Sequence, residues 1–368
     1  MSQKFKILII LVLTLFPGAS AVKAQLLQDK AVMDLVKTDV DYMYNLQFKD
    51  AWEVYEKIVK AYPAHPIGYL LKGMIIYWEN YPLLNNSPAH VSFEEDMKQT
   101  IRLSDAHNKR EYEAEYLLAN LCARGMLLSF YDDNGLVMDA TSLTLGTYKY
   151  LRRAFDFNST CADLYYFTGT YNYYRETYPK FYPAYKSLTF LFPHGDVENG
   201  LKQLKKCSES SVVLRAESSY LLSWIYLSFE NNYPESLNYA KELFEKYPRN
   251  PVFLETIVRD HLLMKNYDEA EKLLAAAPDS ANKFFLGEMI VLKGILQEKK
   301  YHNNKLAIQF YNKGISDLSA YGKYGNSYTA YAYFGLSRIN DEGDRHSHKF
   351  YRKKAMKLAD FKKINFDN

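Results

Sequence analysis

"ESLNYAKELFEKYPRNPVFLETIV" (Glu235–Val258) and "DEAEKLLAAAPDSANKFF" (Asp268–Phe285) decide the fold. In the first, Ser236, Ala240 and Leu243 stand at i, i+4 and i+7, one face of a helix, and Pro248 follows five residues after Leu243. In the second, Ala270, Leu274 and Ala277 repeat the spacing, and Ser236 to Ala270 is a step of 34 residues. A third copy lies upstream in "DAWEVYEKIVKAYPAHPIGYLLKGMIIYW" (Asp50–Trp78). There Ala51, Tyr55 and Ile58 form the stripe, Pro63 ends the helix, and Tyr69 and Gly73 open the next one. A fixed period of helix, proline break and helix is the mark of a stack of helical hairpins.

The periodicity extends over eight helix pairs: 33–62, 66–104, 109–156, 161–207, 213–246, 251–277, 282–318 and 327–361. Longer segments interrupt three of them, near 80–92, 131–143 and 176–196. Strand alternation and hairpin signals do not occur, so the expected fold is all-α: a right-handed solenoid in which each pair touches its neighbours and the stack presents a concave groove.

The spacing resembles the tetratricopeptide repeat family over nearly all of 32–360, best at 32–65, 217–250 and 251–284. Gly73, Gly169, Gly294 and Gly335 stand where that repeat needs a small residue for close helix crossing, and Ala51, Ala270 and Ala277 serve the second helices. The Trp-Leu-Gly cluster of the family is never complete, and Trp224 stands where glycine is expected. The segment "SLTFLFPHGDVENGLKQLKKC" (Ser187–Cys207) also resembles part of the Iml2 group of tetratricopeptide-like proteins.

The first 24 residues read as an export signal: Lys4 and Lys6, then the apolar run Ile7–Phe16, the break Pro17-Gly18, and small residues ending at Ala21 and Ala24. Residues 25–368 then form one solenoid domain, and the expected location is the periplasm of a Gram-negative cell, with release or outer-membrane association as alternatives. No later stretch is long enough in apolar residues to span a bilayer. The chain carries 46 basic and 43 acidic residues, and three of the basic ones (Lys4, Lys6, Lys23) lie in the signal. The remainder is formally neutral, which argues against nucleic acid as a partner. One local basic cluster, Arg352 to Lys363, reads as a solvated terminal helix.

Local signatures of chemistry are missing. The chain has no nucleophile elbow, no HExxH and no phosphate-binding glycine loop. His346 and His348 lack further ligands at metal spacing, His261 reads as a packed helix residue, and "YDDNG" (Tyr131–Gly135) reads as a turn rather than a calcium loop. Cys122, Cys161 and Cys207 sit in helical patterns without CxxC spacing. No structural disulfide is expected, with a Cys161–Cys207 bond left open. Asp279-Ser280-Ala281 fits a short O-glycosylation pattern of exported Bacteroidetes proteins, and Asn158-Ser159-Thr160 fits an N-glycosylation sequon. No catalytic residue, metal or cofactor is assigned.

The distinctive composition is aromatic. "YYFTGTYNYYRETYPKFYPAY" (Tyr165–Tyr185) holds eight tyrosines and two phenylalanines in 21 residues. By the repeat phase Tyr165 and Gly169 face the pair interface, and the groove is lined by Tyr77 and Trp78, by Tyr166, Tyr173 and Tyr174, by Phe229, and by the charged pair Glu255 and Arg259. Tyr178, Tyr182 and Tyr185, set around Pro179 and Pro183, are expected in a loop that folds back on the groove or meets a ligand. The expected function is a non-catalytic exported scaffold that binds a protein or peptide partner of the cell envelope in this groove. A glycan-binding module is the alternative, since tyrosine and tryptophan faces stack on sugar rings, and an enzyme of unknown class is the second alternative.

Overall fold

The computed structural model describes residues 26–107, 113–183, 186, 192–277, 282–341, 343–361 and 363–367. The expected signal segment, Tyr185 and the Asp279-Ser280-Ala281 triplet lie outside the described residues. Among the described residues sixteen α-helices follow one another as eight antiparallel pairs. They are α1 (Lys30–Tyr44) with α2 (Phe48–Ala61), α3 (Pro66–Glu79) with α4 (Ala89–Asp105), α5 (Glu113–Asp133) with α6 (Val137–Ala154), and α7 (Leu164–Phe181) with α8 (Val197–Ser210). Then come α9 (Arg215–Ser228) with α10 (Tyr233–Lys246), α11 (Pro251–Leu263) with α12 (Tyr267–Ala276), α13 (Lys283–Lys299) with α14 (Asn304–Leu318), and α15 (Asn326–Ile339) with α16 (Arg345–Leu358). No strand occurs among the described residues, and none of their helices is long and apolar enough to cross a membrane. The molecule is an all-α solenoid, as the 34-residue step predicts.

The two helices of a pair differ in kind. Second helices carry one apolar stripe: α2 buries Ala51, Val54 and Ile58, and α12 buries Ala270 and Leu274. First helices are covered more completely, and α11 is buried from Val252 through Leu262. A helix that is apolar nearly all round lies inside, and one with a single stripe lies outside. First helices therefore line the inner side of the stack. The four glycines expected at close crossings are at such crossings. An added Cβ would meet Met97 at Gly73, Leu204 and the Gly200 backbone at Gly169, and Tyr311 at both Gly294 and Gly335.

Two expected interruptions are shorter than the sequence suggests. Tyr131 to Asp133 belong to α5 and α6 begins at Val137, so the segment near 131–143 shrinks to the turn Asn134–Leu136. Helix α7 continues through Tyr178 and Pro179 to Phe181, so Tyr178 is helical and Tyr182 caps the end. Pro179 offers no N–H to the Arg175 carbonyl, and the helix stops two residues later at Phe181. The segment before α4 is a true connection, Asn80–Pro88, containing a cis Tyr81–Pro82 bond.

The inner side is not an open groove. The end of α1 meets the fifth and sixth pairs: the Tyr44 hydroxyl donates to Glu217 Oε1 (2.6 Å), Lys246 and Tyr247 both donate to Asp41 Oδ1 (2.6 Å each), and Asn250 Nδ2 donates to the Tyr44 carbonyl (3.0 Å). The connection after α3 meets the seventh pair, with the Tyr81 ring stacked on Phe285 at 5.9 Å and the Tyr324 hydroxyl donating to the Leu83 carbonyl at 3.2 Å. Phe361, beyond α16, packs against Trp224 and Phe229 of the fifth pair. The solenoid closes on itself, and units far apart in sequence share its interior.

Candidate functional site

Closure leaves one large cavity, about 340 Å³ in volume. Six successive first helices supply its wall: Tyr44 from α1; Met74, Tyr77 and Trp78 from α3, with Tyr81 just beyond; Cys122, Gly125, Met126, Ser129 and Asp133 from α5; Tyr166 and Phe167 from α7; Glu217 and Tyr220 from α9; Val252 and Phe253 from α11. The α5 set falls at i, i+3, i+4, i+7 and i+11, one face of a regular helix. Ser129 is exposed, and Gly125, Met126 and Phe167 are half-exposed, which places an opening along α5. Tyr77, Trp78, Tyr81, Tyr166 and Tyr220 are only half-buried although they point inward; what they face is the cavity.

The aromatic walls meet at defined angles. Trp78 stacks on Tyr81 at 5.4 Å, stands perpendicular to Tyr77 at 6.0 Å, and meets Tyr44 edge-on at 5.3 Å. Such edge-to-face sets hold their rings without a ligand. Burial pushes the hydroxyls of Tyr44, Tyr77, Tyr81 and Tyr166 well above the ordinary range, so they remain neutral donors. The same cause raises the Cys122 thiol well above its ordinary value, which removes it as a thiolate nucleophile. Two carboxylates complete the wall. Glu217 is pushed up by burial, opposed by the bond from Tyr44. Asp133 is pushed up to about 7 by burial and then by Asp132, with Lys323 opposing. Lys, Arg and His are absent from the lining side chains.

Of the residues singled out from sequence, Tyr77, Trp78 and Tyr166 come together in this cavity. Tyr173, Tyr174 and Phe229 do not join them. Tyr173 is fully buried and its hydroxyl donates to Glu230, while Tyr174 and Phe229 pack edge-on at 5.2 Å beside Phe181 and Phe361. These tyrosines are packing surface, because the end of the chain folds onto the inner side that an open groove would leave free. Glu255 and Arg259 are also buried, paired at 3.8 Å with Asp260 3.6 Å from the guanidinium. Burial holds Glu255 up at about 7, opposed by Arg259, and Glu288 is raised by burial and by Glu255. This charged group sits inside the wall, outside the cavity lining. Glu217 and Tyr220 were missed because the phase of α9 turns this pair toward the cavity rather than Phe229.

Other features fall into place as structure. The three cysteines are buried and unpaired. No group of three His, Cys, Asp or Glu among the described residues is arranged to hold a metal ion. His348 bonds with Ser337 and lies 3.3 Å from Asp341, and His261 is buried in α11.

No family model matches the chain, and no curated protein matches it. Among solved structures it is similar to a human IFIT1 dimer with PPP-AAAA, at a TM-score of 0.45 and 14% sequence identity, over 84% of this chain and 68% of that one. Nothing about ligand or partner follows from a likeness of that degree.

Proposed function

We propose that this chain is an exported, non-catalytic scaffold of the tetratricopeptide type, and that it binds a protein or peptide partner of the cell envelope by taking one side chain or chain end into the aromatic cavity. The observation that carries this reading is the convergence of six successive first helices on one cavity of about 340 Å³ with an opening along α5. That volume lies at the lower end of ligand pockets, which suits an anchoring group better than an extended peptide. A single aromatic-lined pocket is also how interfaces concentrate affinity in an anchor residue. The non-catalytic part is supported by the direction of the titrations: burial keeps the Cys122 thiol and the tyrosine hydroxyls protonated, which removes them as nucleophiles.

Gly125 offers a clean test. A Cβ added there lies 3.9 Å from Phe167 Cε1, an ordinary contact, so a longer side chain grows into the cavity without displacing backbone. Glycine inside a helix is also a poor choice thermodynamically, and its replacement favours the helix. The immobilised wild type and its Gly125→Leu variant are used to capture partners from the native envelope. The reading expects one protein held at stoichiometric yield by wild type and lost from the variant. Equal capture by both would move the partner to another face. Polysaccharide retained by wild type and not by the variant would establish the glycan alternative.

A further inference from the structure

The cavity has an electrostatic asymmetry that its aromatic character alone does not require. Two carboxylates, Glu217 on α9 and Asp133 on α5, line it, and no cationic side chain does so among the described residues. Neither carboxylate has an ion-pair partner among the described residues. Glu217 accepts only the neutral Tyr44 hydroxyl, 2.6 Å away. Lys323, the nearest candidate for Asp133, bonds instead to Asp132 at 2.7 Å. An ionised carboxylate in a low-dielectric wall is costly unless a counter-charge arrives. The same lining carries the rings of Tyr77, Trp78 and Tyr81, set edge-on or stacked at 5.4–6.0 Å. Aromatic faces at right angles, closed by carboxylates, are the complement of an alkylammonium group: the ring quadrupoles attract the cation, and the acids supply the charge.

We infer that the cavity binds an organic cation, an alkyl- or quaternary-ammonium group, held against Trp78 and the neighbouring tyrosines and neutralised by Glu217 and Asp133. The group can arrive as a free small amine or as the side chain of a partner's lysine. The inference rests on the proposed role of the cavity as the binding site and adds the ligand's chemistry.

The test uses the purified chain with choline and its neutral isostere 3,3-dimethylbutan-1-ol, titrated by calorimetry and by tryptophan fluorescence in a Trp52→Phe, Trp224→Phe background that leaves Trp78. Choline is expected to bind about tenfold tighter than the isostere, in the range of a partly desolvated cation–π contact. Glu217→Gln and Asp133→Asn, which keep shape, should each remove most of that advantage and leave the isostere unaffected. Gly125→Leu should abolish both. A second arm compares butylamine with an acetylated, amidated pentapeptide bearing one central lysine. Tighter binding of the peptide assigns the group to a partner protein, and equal binding assigns it to a free amine. If the isostere binds as well as choline and Gly125→Leu abolishes both, the cation assignment is overturned while the cavity remains the ligand site. If choline, isostere, amine and peptide all fail to bind, the cation assignment is overturned, and the capture experiment with Gly125→Leu decides the fate of the cavity separately.

Discussion

At the scale of single residues, two buried aspartates show how differently one side chain can act on this fold. Asp163, just ahead of α7, accepts from three backbone amides of the next unit, Val212, Val213 and Leu214, at 3.2, 2.8 and 2.7 Å. It ties the fourth pair to the fifth. Asp163→Ala would leave those buried donors without a partner and should lower stability by about 3 kcal/mol, measured as a shift in the urea midpoint at unchanged slope. Asp39, on α1, is the opposite case: it is fully buried and neither oxygen has a hydrogen-bond partner. Burial raises its carboxyl from 3.8 to about 8. Between those values the folded chain holds a proton that the unfolded chain has released, so the unfolded state binds fewer protons and stability falls as pH rises. The contribution is harmless below pH ~4 and is largest by pH ~8, on the order of a few kcal/mol. Asp133, Glu255 and Asp260 act in the same direction, so the wild type should be markedly less stable at pH 8 than at pH 5. Asp39→Asn should flatten that difference. Thermal scans of both proteins at the two pH values check it, and equal slopes for both would show that Asp39 is not the source.

At the scale of elements, the helix pairs were legible because their signal is redundant: an apolar stripe recurs along the chain, and small residues at crossings (Gly73, Gly169, Gly294, Gly335) and prolines at breaks (Pro63, Pro248) reinforce it in several units. The turns within pairs were not, apart from the one at Gly135 that Asp-Asn-Gly announces. Leu46, Gly135, Asn231, Lys265 and His302 each hold a positive φ, between 50° and 70°, at the turn from first helix to second. In three of these turns the amide after the positive-φ residue bonds back to the carbonyl five residues earlier: Gln47 to Tyr42, Leu136 to Tyr131 and Asn266 to His261. This is the left-handed helix stop that glycine usually serves. Only one of the five is glycine, so at the other four no residue type marks the position and no sequence pattern reports it. The geometry is imposed by the packing of the flanking helices. A left-handed conformation costs a non-glycine residue about 1–2 kcal/mol, against about 0.5–1 kcal/mol of extra chain entropy for glycine. Lys265→Gly should therefore be neutral to stabilising, by up to about 1 kcal/mol in chemical denaturation, whereas the same change two turns earlier in α11 should destabilise.

At the scale of the whole molecule, closure is what the sequence could not show. Each unit's pattern says which face is apolar, but not whether that face meets solvent, a ligand or a distant unit. Tyr77 and Tyr173 carry the same side chain on inward faces; one lines the cavity and the other is sealed beneath Phe229 because Phe361 returns across the stack. An open repeat array has only nearest-neighbour coupling and can lose its ends first. Here α1 is bound through Asp41, Tyr44 and Asn45 to residues more than 170 positions away, at Glu217, Lys246, Tyr247 and Arg249. The terminal unit should therefore not fray independently. Trp52 lies in α2, Trp78 in α3 and Trp224 in α9, so tryptophan fluorescence samples both sides of this contact while far-ultraviolet circular dichroism follows the helices. The two signals should coincide through one urea transition for wild type. Changing Asp41→Ala, Tyr44→Phe, Asn45→Ala and Asn250→Ala together removes these polar ties and leaves most of the apolar packing of α1. In that variant the fluorescence and dichroism curves should separate, with the first pair melting at lower urea. Coincident curves in the variant would mean that apolar packing alone closes the ring and that the hydrogen bonds only fix its register.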